Sequence, residues 1–281
     1  ARTPALAYAR AMAACSSAAA GARAAAGRGG GISVVAAVRD YVTKMVSDVH
    51  GMKVLIMDAE TTQIVSLVYT QTQILQHEVF LIDAIEHARA DKMPHLKAVY
   101  FLRPTADNIR RLQDEFKDPK YGEYHLFFSN MTKDGQIQAL AEADEHEVVQ
   151  QVHEYYADVL AINADLFSLA VPSVAALSGP AWHQPTFDRI HQGVCALLLS
   201  LKKRPLVRYQ ANSEVALRVA ESVVGTMDAD ADLFGFRRPE VPPLLLLLDR
   251  VDDPVGGPAA LRARHGAAPS HRRPPRAAQR R

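Results

Sequence analysis

The chain predicts an α/β fold, a parallel sheet flanked by helices, followed by a second α/β unit that starts and is not completed. Three observations carry this. Short apolar runs bounded by charge alternate with segments of helical period, which is the pattern of parallel strands joined by crossover helices. The alternation is regular as far as Asn163, and a stretch rich in Pro, Ser and Gly, residues 170–185, then interrupts it. Beyond that stretch a helix, a strand and a helix lead to residues 241–250, where Pro242 and Pro243 open a run of five leucines closed by Asp249 and Arg250.

The elements follow in order. Ser33 reads as the N-cap of a helix, because Val34, Val35, Val38, Val42, Met45 and Val46 recur at spacings of three and four. Gly51 ends it, and residues 52–58 read as a buried strand that finishes in the carboxylate of Asp58. Residues 64–69, 79–82, 98–102 and 124–128 have the same look and read as further strands. Residues 105–116 form a helix capped by Thr105, with Ile109, Leu112 and Phe116 on one face; Asp118 and Pro119 stop it. Residues 134–143 read as another helix. After the interruption come a helix over 186–202, a strand over 206–209 and a helix over 213–226. The leucine run is far shorter than the ~20 residues a bilayer helix needs, and its prolines disfavour a helix, so it reads as a strand buried on both faces. From Gly256 onward the sequence has no apolar period and no acid, so the leucine strand finds no neighbour there and pairs on one side at best, with an apolar edge left open.

Composition narrows the function classes. At 281 residues and 48% apolar the chain can build a real core. Its 32 basic and 31 acidic residues nearly balance, but both ends are rich in arginine and free of acid while the middle is net acidic, so nucleic acid is not indicated for the folded part. Cys15 and Cys195 are too few and too far apart for a disulfide framework or a zinc site, which favours a reducing, cytoplasmic setting. No run of 18 apolar residues suggests direct membrane insertion. Residues 1–31 carry Arg2, Arg10, Arg23 and Arg28 without acid. That composition is shared with transit peptides, and equally with a disordered Ala/Gly/Arg leader, which is the reading adopted. Residues 255–281 read as a disordered basic tail.

The search for chemistry is negative. A parallel sheet invites a nucleotide, yet no glycine follows Asp58 and no phosphate-loop motif occurs anywhere. Residues 244–249 look like the strand and Asp that hold magnesium in such enzymes, but without the loop they read as structural. His146 and His153 are seven apart, two helical turns or ~10 Å, and read as a solvated helix face instead of a metal pair. Asp249, Asp252 and Asp253 could hold a cation and are read as a cap or as partners of Arg250. Cys195, within the apolar residues 194–201, is inert core, and Lys202, Lys203 and Arg204 are charges at a helix end. No catalytic residue, cofactor or metal is expected.

Four motifs point elsewhere. Residues 52–58 (Met-Lys-Val-Leu-Ile-Met-Asp), 97–105 (Lys-Ala-Val-Tyr-Phe-Leu-Arg-Pro-Thr), 115–121 (Glu-Phe-Lys-Asp-Pro-Lys-Tyr) and 242–250 (Pro-Pro-Leu-Leu-Leu-Leu-Leu-Asp-Arg) resemble the Sec1/Munc18 (SM) family of SNARE regulators. Residues 140–145, 198–203 and 236–243 are most similar to its endosomal branch. The resemblance runs from Ser33 to about Asp253. It implies that residues 32–163 are an SM-like first domain and 164–254 the first segment of the second, in a chain about half as long as family members. It also implies a binding function: no enzymatic activity, a syntaxin-type SNARE of the trans-Golgi network and endosome as partner, a role in SNARE assembly, vesicle docking and protein transport, and a peripheral place on those membranes through the SNARE. By resemblance, Asp58 and Thr62 face a syntaxin cleft. A pocket for the syntaxin N-terminal peptide has Ile137, Leu140 and Ala141 as its apolar floor and Glu154 at its edge. Ile137, Leu140 and Ala141 share one helix face, and on spacing alone such a stripe reads as core as readily as pocket. The alternative from another class is a nucleotide- or small-molecule-binding α/β enzyme.

Overall fold

The structure, a computed structural model, describes residues 32–87, 91–171, 174, 177, 182–237 and 239–250. The expected leader (1–31) and tail (255–281), and Asp252 and Asp253 of the acidic cluster, lie outside the described residues.

The Ser33 hydroxyl accepts from the Ala36 amide at 3.3 Å and starts α1 (Val34–Asp48), whose apolar stripe is buried. Gly51, at φ +90°, turns the chain into β1 (Lys53–Met57), buried along its whole length. Residues 64–69 are not the strand their apolar run suggests; they belong to α2 (Ala59–Val68), followed by the short α3 (Gln71–Leu75). The reason is local. Asp58 and Thr61 form a capping box that commits the following residues to a helix, and Ile64, Val65 and Val68 then share its buried face.

Next come β2 (Val79–Ala84), β3 (Met93–Leu102), α4 (Ala106–Lys117), β4 (Tyr121–Phe128), α5 (Asp134–Ala143) and β5 (Val149–Glu154). β5 corrects the reading of His146 and His153 as one helix face, since His146 lies in the turn after α5 and His153 in the strand. Asp144 makes that turn: its buried carboxylate accepts from the amides of Val148 and Val149 at 3.0 and 3.1 Å. The five strands form one wholly parallel sheet in the order β2-β1-β3-β4-β5. Helices α1 and α2 cover one face and α4 and α5 the other, so each face has its own core.

A small hairpin of β6 (Leu160–Ala161) and β7 (Phe167–Ser168) precedes α6 (Gln184–Ser200), β8 (Leu206–Tyr209), α7 (Glu214–Ala229) and β9 (Leu244–Leu247). β9 pairs in parallel with β8, and among the described residues it pairs with nothing else. It is not buried on both faces. Leu245 and Leu247 pack on a third core built by α6 and α7, while Leu244, Leu246 and Leu248 are 53–62% exposed. An open apolar edge of this kind templates association. Leu246→Lys is therefore expected to lower concentration-dependent self-association in sedimentation velocity with the circular dichroism spectrum unchanged; equal association in the two proteins would exonerate the edge.

Candidate functional site

In a 2-1-3 strand order the ligand crevice lies at the carboxyl ends of β1 and β3, where the order reverses. Asp58 stands there, only 3% exposed. One carboxylate oxygen accepts from the Thr61 amide at 2.7 Å, and the other accepts from the Arg103 amide at 2.8 Å and the Asn108 side-chain amide at 2.7 Å. The Thr61 hydroxyl accepts from the Asp58 amide at 3.1 Å and donates to the Phe101 carbonyl at 2.7 Å, tying β1 to β3. A phosphate would need the N-terminus of α2, and the chain's own carboxylate already fills it. The same geometry corrects the expectation that Asp58 faces a partner. Its carboxylate is enclosed and fully bonded, and of the two expected cleft residues only Thr62 is exposed, its hydroxyl donating to the Asp58 carbonyl at 2.7 Å.

Beside it lies a buried ionic cluster that the sequence reading did not find. Asp158, with no exposed side-chain surface, has Arg189 of α6 at 3.0 Å and the Arg103 Nε at 3.4 Å, and accepts from the Asn130 side-chain amide at 2.7 Å. Arg103 also reaches Glu60 at 3.2 Å. Burial outweighs the two guanidinium groups, so the Asp158 carboxyl titrates above its ordinary range, and burial likewise pulls the Arg189 guanidinium down. These contacts bind α6 to the ends of β3 and β4. The signal available in the sequence was the position of Arg103 and Asn130 just past two apolar strands; nothing marked Asp158 or Arg189 as their partners.

The helix expected to floor a peptide pocket is split by burial. Leu140 has no exposed surface and belongs to the core under α4 and α5 together with Leu126 and Val152. It therefore cannot floor an open pocket. The middle of an amphipathic stripe points at the sheet, and its flanks form the rim. Ile137 and Ala141 are those flanks, half-buried against the same core. Glu154, at the end of β5, accepts from the Thr132 amide at 2.7 Å and the Thr132 hydroxyl at 2.5 Å, and its other oxygen accepts from the Tyr156 hydroxyl at 2.9 Å. It lines a cleft of about 730 Å³ together with Lys133, Asp188, Asp230 and Asp232; Ile137 and Ala141 do not line it. Cys195 is buried and its thiol pushed up to about 12, so it is inert as expected.

Residues 53–256 match the model of the Sec1 family. The chain belongs to the Sec1 family. Among Sec1-family relatives, the vacuolar protein sorting-associated protein 45 homolog of Arabidopsis thaliana is 49% identical over 230 residues, covering 79% of this chain and 40% of that protein. The human vacuolar protein sorting-associated protein 45 is 49% identical over 225 residues, covering 80% of this chain and 39% of that protein. A solved structure of the SM protein Vps45 in complex with the Qa SNARE Tlg2 matches with a TM-score of 0.76 at 45% identity, over 79% of this chain and 40% of that chain. The chain thus spans about 40% of the length of the curated relatives it matches. The five-stranded sheet and the unit after it are the part of the Sec1-family fold held here. Among the described residues, no helix is long and apolar enough to cross a membrane.

Proposed function

We propose that this Sec1-family chain binds a syntaxin-type SNARE and regulates SNARE assembly and vesicle docking in traffic between the trans-Golgi network and endosomes. The observation that carries this reading is its 45% identity to a Vps45 chain solved with a Qa SNARE. It acts by binding, without catalysis, in the cytoplasm and on the surface of Golgi and endosomal membranes, held there by the SNARE. The plug that Asp58 makes at the switch point supports a binding protein over the nucleotide-enzyme alternative. Residues 32–163 form its first domain and 164–254 the opening of its second. The syntaxin N-terminal peptide lies along α5, its apolar anchor against Ile137 and Ala141 and a basic residue toward Glu154, with Thr62 exposed to a second syntaxin contact.

Titration of the chain with a fluorescent peptide from the N-terminus of an endosomal syntaxin tests this. Ala141→Arg puts a long cation on the rim of α5 without entering the core. It is expected to raise the Kd at least tenfold, about 1.4 kcal/mol, with the melting temperature unchanged. Unaltered affinity in that variant would remove α5 from the interface.

A further inference from the structure

We propose that His125 and His153 form an acid-sensitive latch: with both rings neutral they seat the second half of α1 and the strand β5 on the sheet, and with both protonated they release them. The inference does not rest on the syntaxin reading.

The pair follows from register. Side chains alternate across a strand, so the face of the sheet under α1 carries Lys97, Val99 and Phe101 on β3, Glu123, His125 and Phe127 on β4, and Gln151 and His153 on β5. Val99, His125 and Gln151 form one row and Phe101, Phe127 and His153 the next. His125 and His153 are therefore diagonal neighbours on adjacent strands, close enough for charge on His153 to oppose charge on His125.

Neither ring is equipped to hold a second proton. His125 is 8% exposed, and both of its nitrogens lack a hydrogen-bond partner among the described residues. Glu123 lies 3.4 Å from its Nε2 without forming a hydrogen bond and is already paired with Lys97 at 2.9 Å. His153 stacks on Phe127 and Tyr155, with ring centroids 5.4 and 5.9 Å apart, and its Nε2 lies 3.3 Å from the Gln151 side-chain oxygen. A proton added to His153 goes to Nδ1, which is buried and meets no acceptor among the described residues.

The surrounding charges are balanced. Lys97 of β3 faces His125 and Lys44 of α1 faces His153, against Glu123 of β4 and Asp48 of α1. Desolvation outweighs both carboxylates, so both imidazoles titrate below their ordinary value of 6.5. Tyr155 links the pair to the helix above: Tyr41 packs on its ring at 5.2 Å, Lys44 lies over it at 5.7 Å, and its hydroxyl donates to Asp48 at 3.4 Å. Among the described residues β5 pairs only with β4, so lifting this corner of the sheet brings both rings to water while the apolar core around Leu55 and Val99 stays closed. The unfolded or lifted chain takes up both protons as the pH falls below 6.5, and the seated one only at lower pH. The stabilisation is complete above 6.5 and is lost as the pH falls from there.

The test is urea unfolding of the whole chain between pH 7 and pH 5. His191 of α6, buried and held low in the same way, adds a proton of its own, so the comparison is between variants. The rise of the unfolding constant over that range should be at least tenfold smaller in the double variant His125→Gln, His153→Gln than in the parent. Hydrogen exchange of the parent at pH 5.5 should open Tyr41–Asp48 and Val149–Glu154 before Lys53–Met57. Proton NMR at the Cε1 positions of the parent should place both titrations below pH 6.5, a readout that stands even where the double variant does not fold. A midpoint at or above 6.5 for either ring, a rise of equal size in a folded double variant, or equal loss of protection in β5 and β1 would each overturn the latch.

Discussion

Asp158→Ala is expected to cost about 3–5 kcal/mol of stability, because it leaves the buried Arg189 guanidinium without a carboxylate and leaves Arg103 only its exposed partner Glu60. Arg189 and Arg103 lie 3.0 and 3.4 Å from the carboxylate, and the Asp158 side chain has no exposed surface to admit water in its place. The upward displacement of the Asp158 carboxyl shows that desolvation is already the larger effect with both partners present. Removing the anion alone takes away the attraction and leaves the desolvation of the cations. Replacing Asp158 and Arg189 together by apolar residues of similar volume should recover much of the loss, since the buried charge disappears with its partner. Urea unfolding of the single and double variants measures both quantities. A single variant within about 0.5 kcal/mol of the parent would mean that Arg103 and Arg189 reach solvent or other acceptors more easily than their burial allows.

The contrast between what the sequence disclosed and what it hid has a physical basis in these same residues. The strands β1, β3 and β4 and the helices α1, α4 and α5 were legible, because each combines an apolar period with a cap or a breaker at its end: Ser33, Gly51, Thr105, Pro119. Where two readings of an apolar run compete, the cap decides, and the capping box of Asp58 and Thr61 turns 64–69 into helix. β5 was hidden because Val149–Glu154 has two glutamines between its valines and His153 and Glu154 after them, the composition of an edge strand, which among the described residues pairs only with β4. The leucine strand was legible as a strand; its exposed face was not, since five leucines in a row do not tell inside from outside. The ionic cluster at Asp158 joins residues 55 and 31 positions apart, and no local pattern encodes such a meeting. The residues proposed to meet a peptide rest on resemblance to the Sec1/Munc18 family, and spacing alone could not separate the member of the α5 stripe that is core from the two that are rim.

That separation sets the second large effect. Leu140→Arg is expected to unfold the chain or leave it without fixed tertiary packing, whereas Ala141→Arg, one residue along, should fold normally and lose only peptide binding. Leu140 has no exposed surface and sits against Leu126 and Val152 in a filled core. Deleting a buried leucine side chain alone costs about 2–5 kcal/mol, and here a guanidinium with no carboxylate beside it must also be desolvated. Native domains are held by about 5–15 kcal/mol in all, so the sum consumes most of the margin. The arginine has one escape: its stem can lie along the α5 groove and carry the head to solvent, which requires α5 to lift from β4 and β5. Near-ultraviolet circular dichroism and thermal melting of the two variants, read beside the peptide titration, separate the cases. If Leu140→Arg melts within a few degrees of the parent and still loses peptide binding, the leucine lines an open pocket after all, and the core under α4 and α5 is looser than its packing indicates. If it melts early while Ala141→Arg keeps its melting temperature and loses the peptide, a loss of binding in a Leu140 variant reports on the fold, and the interface on α5 belongs to its rim.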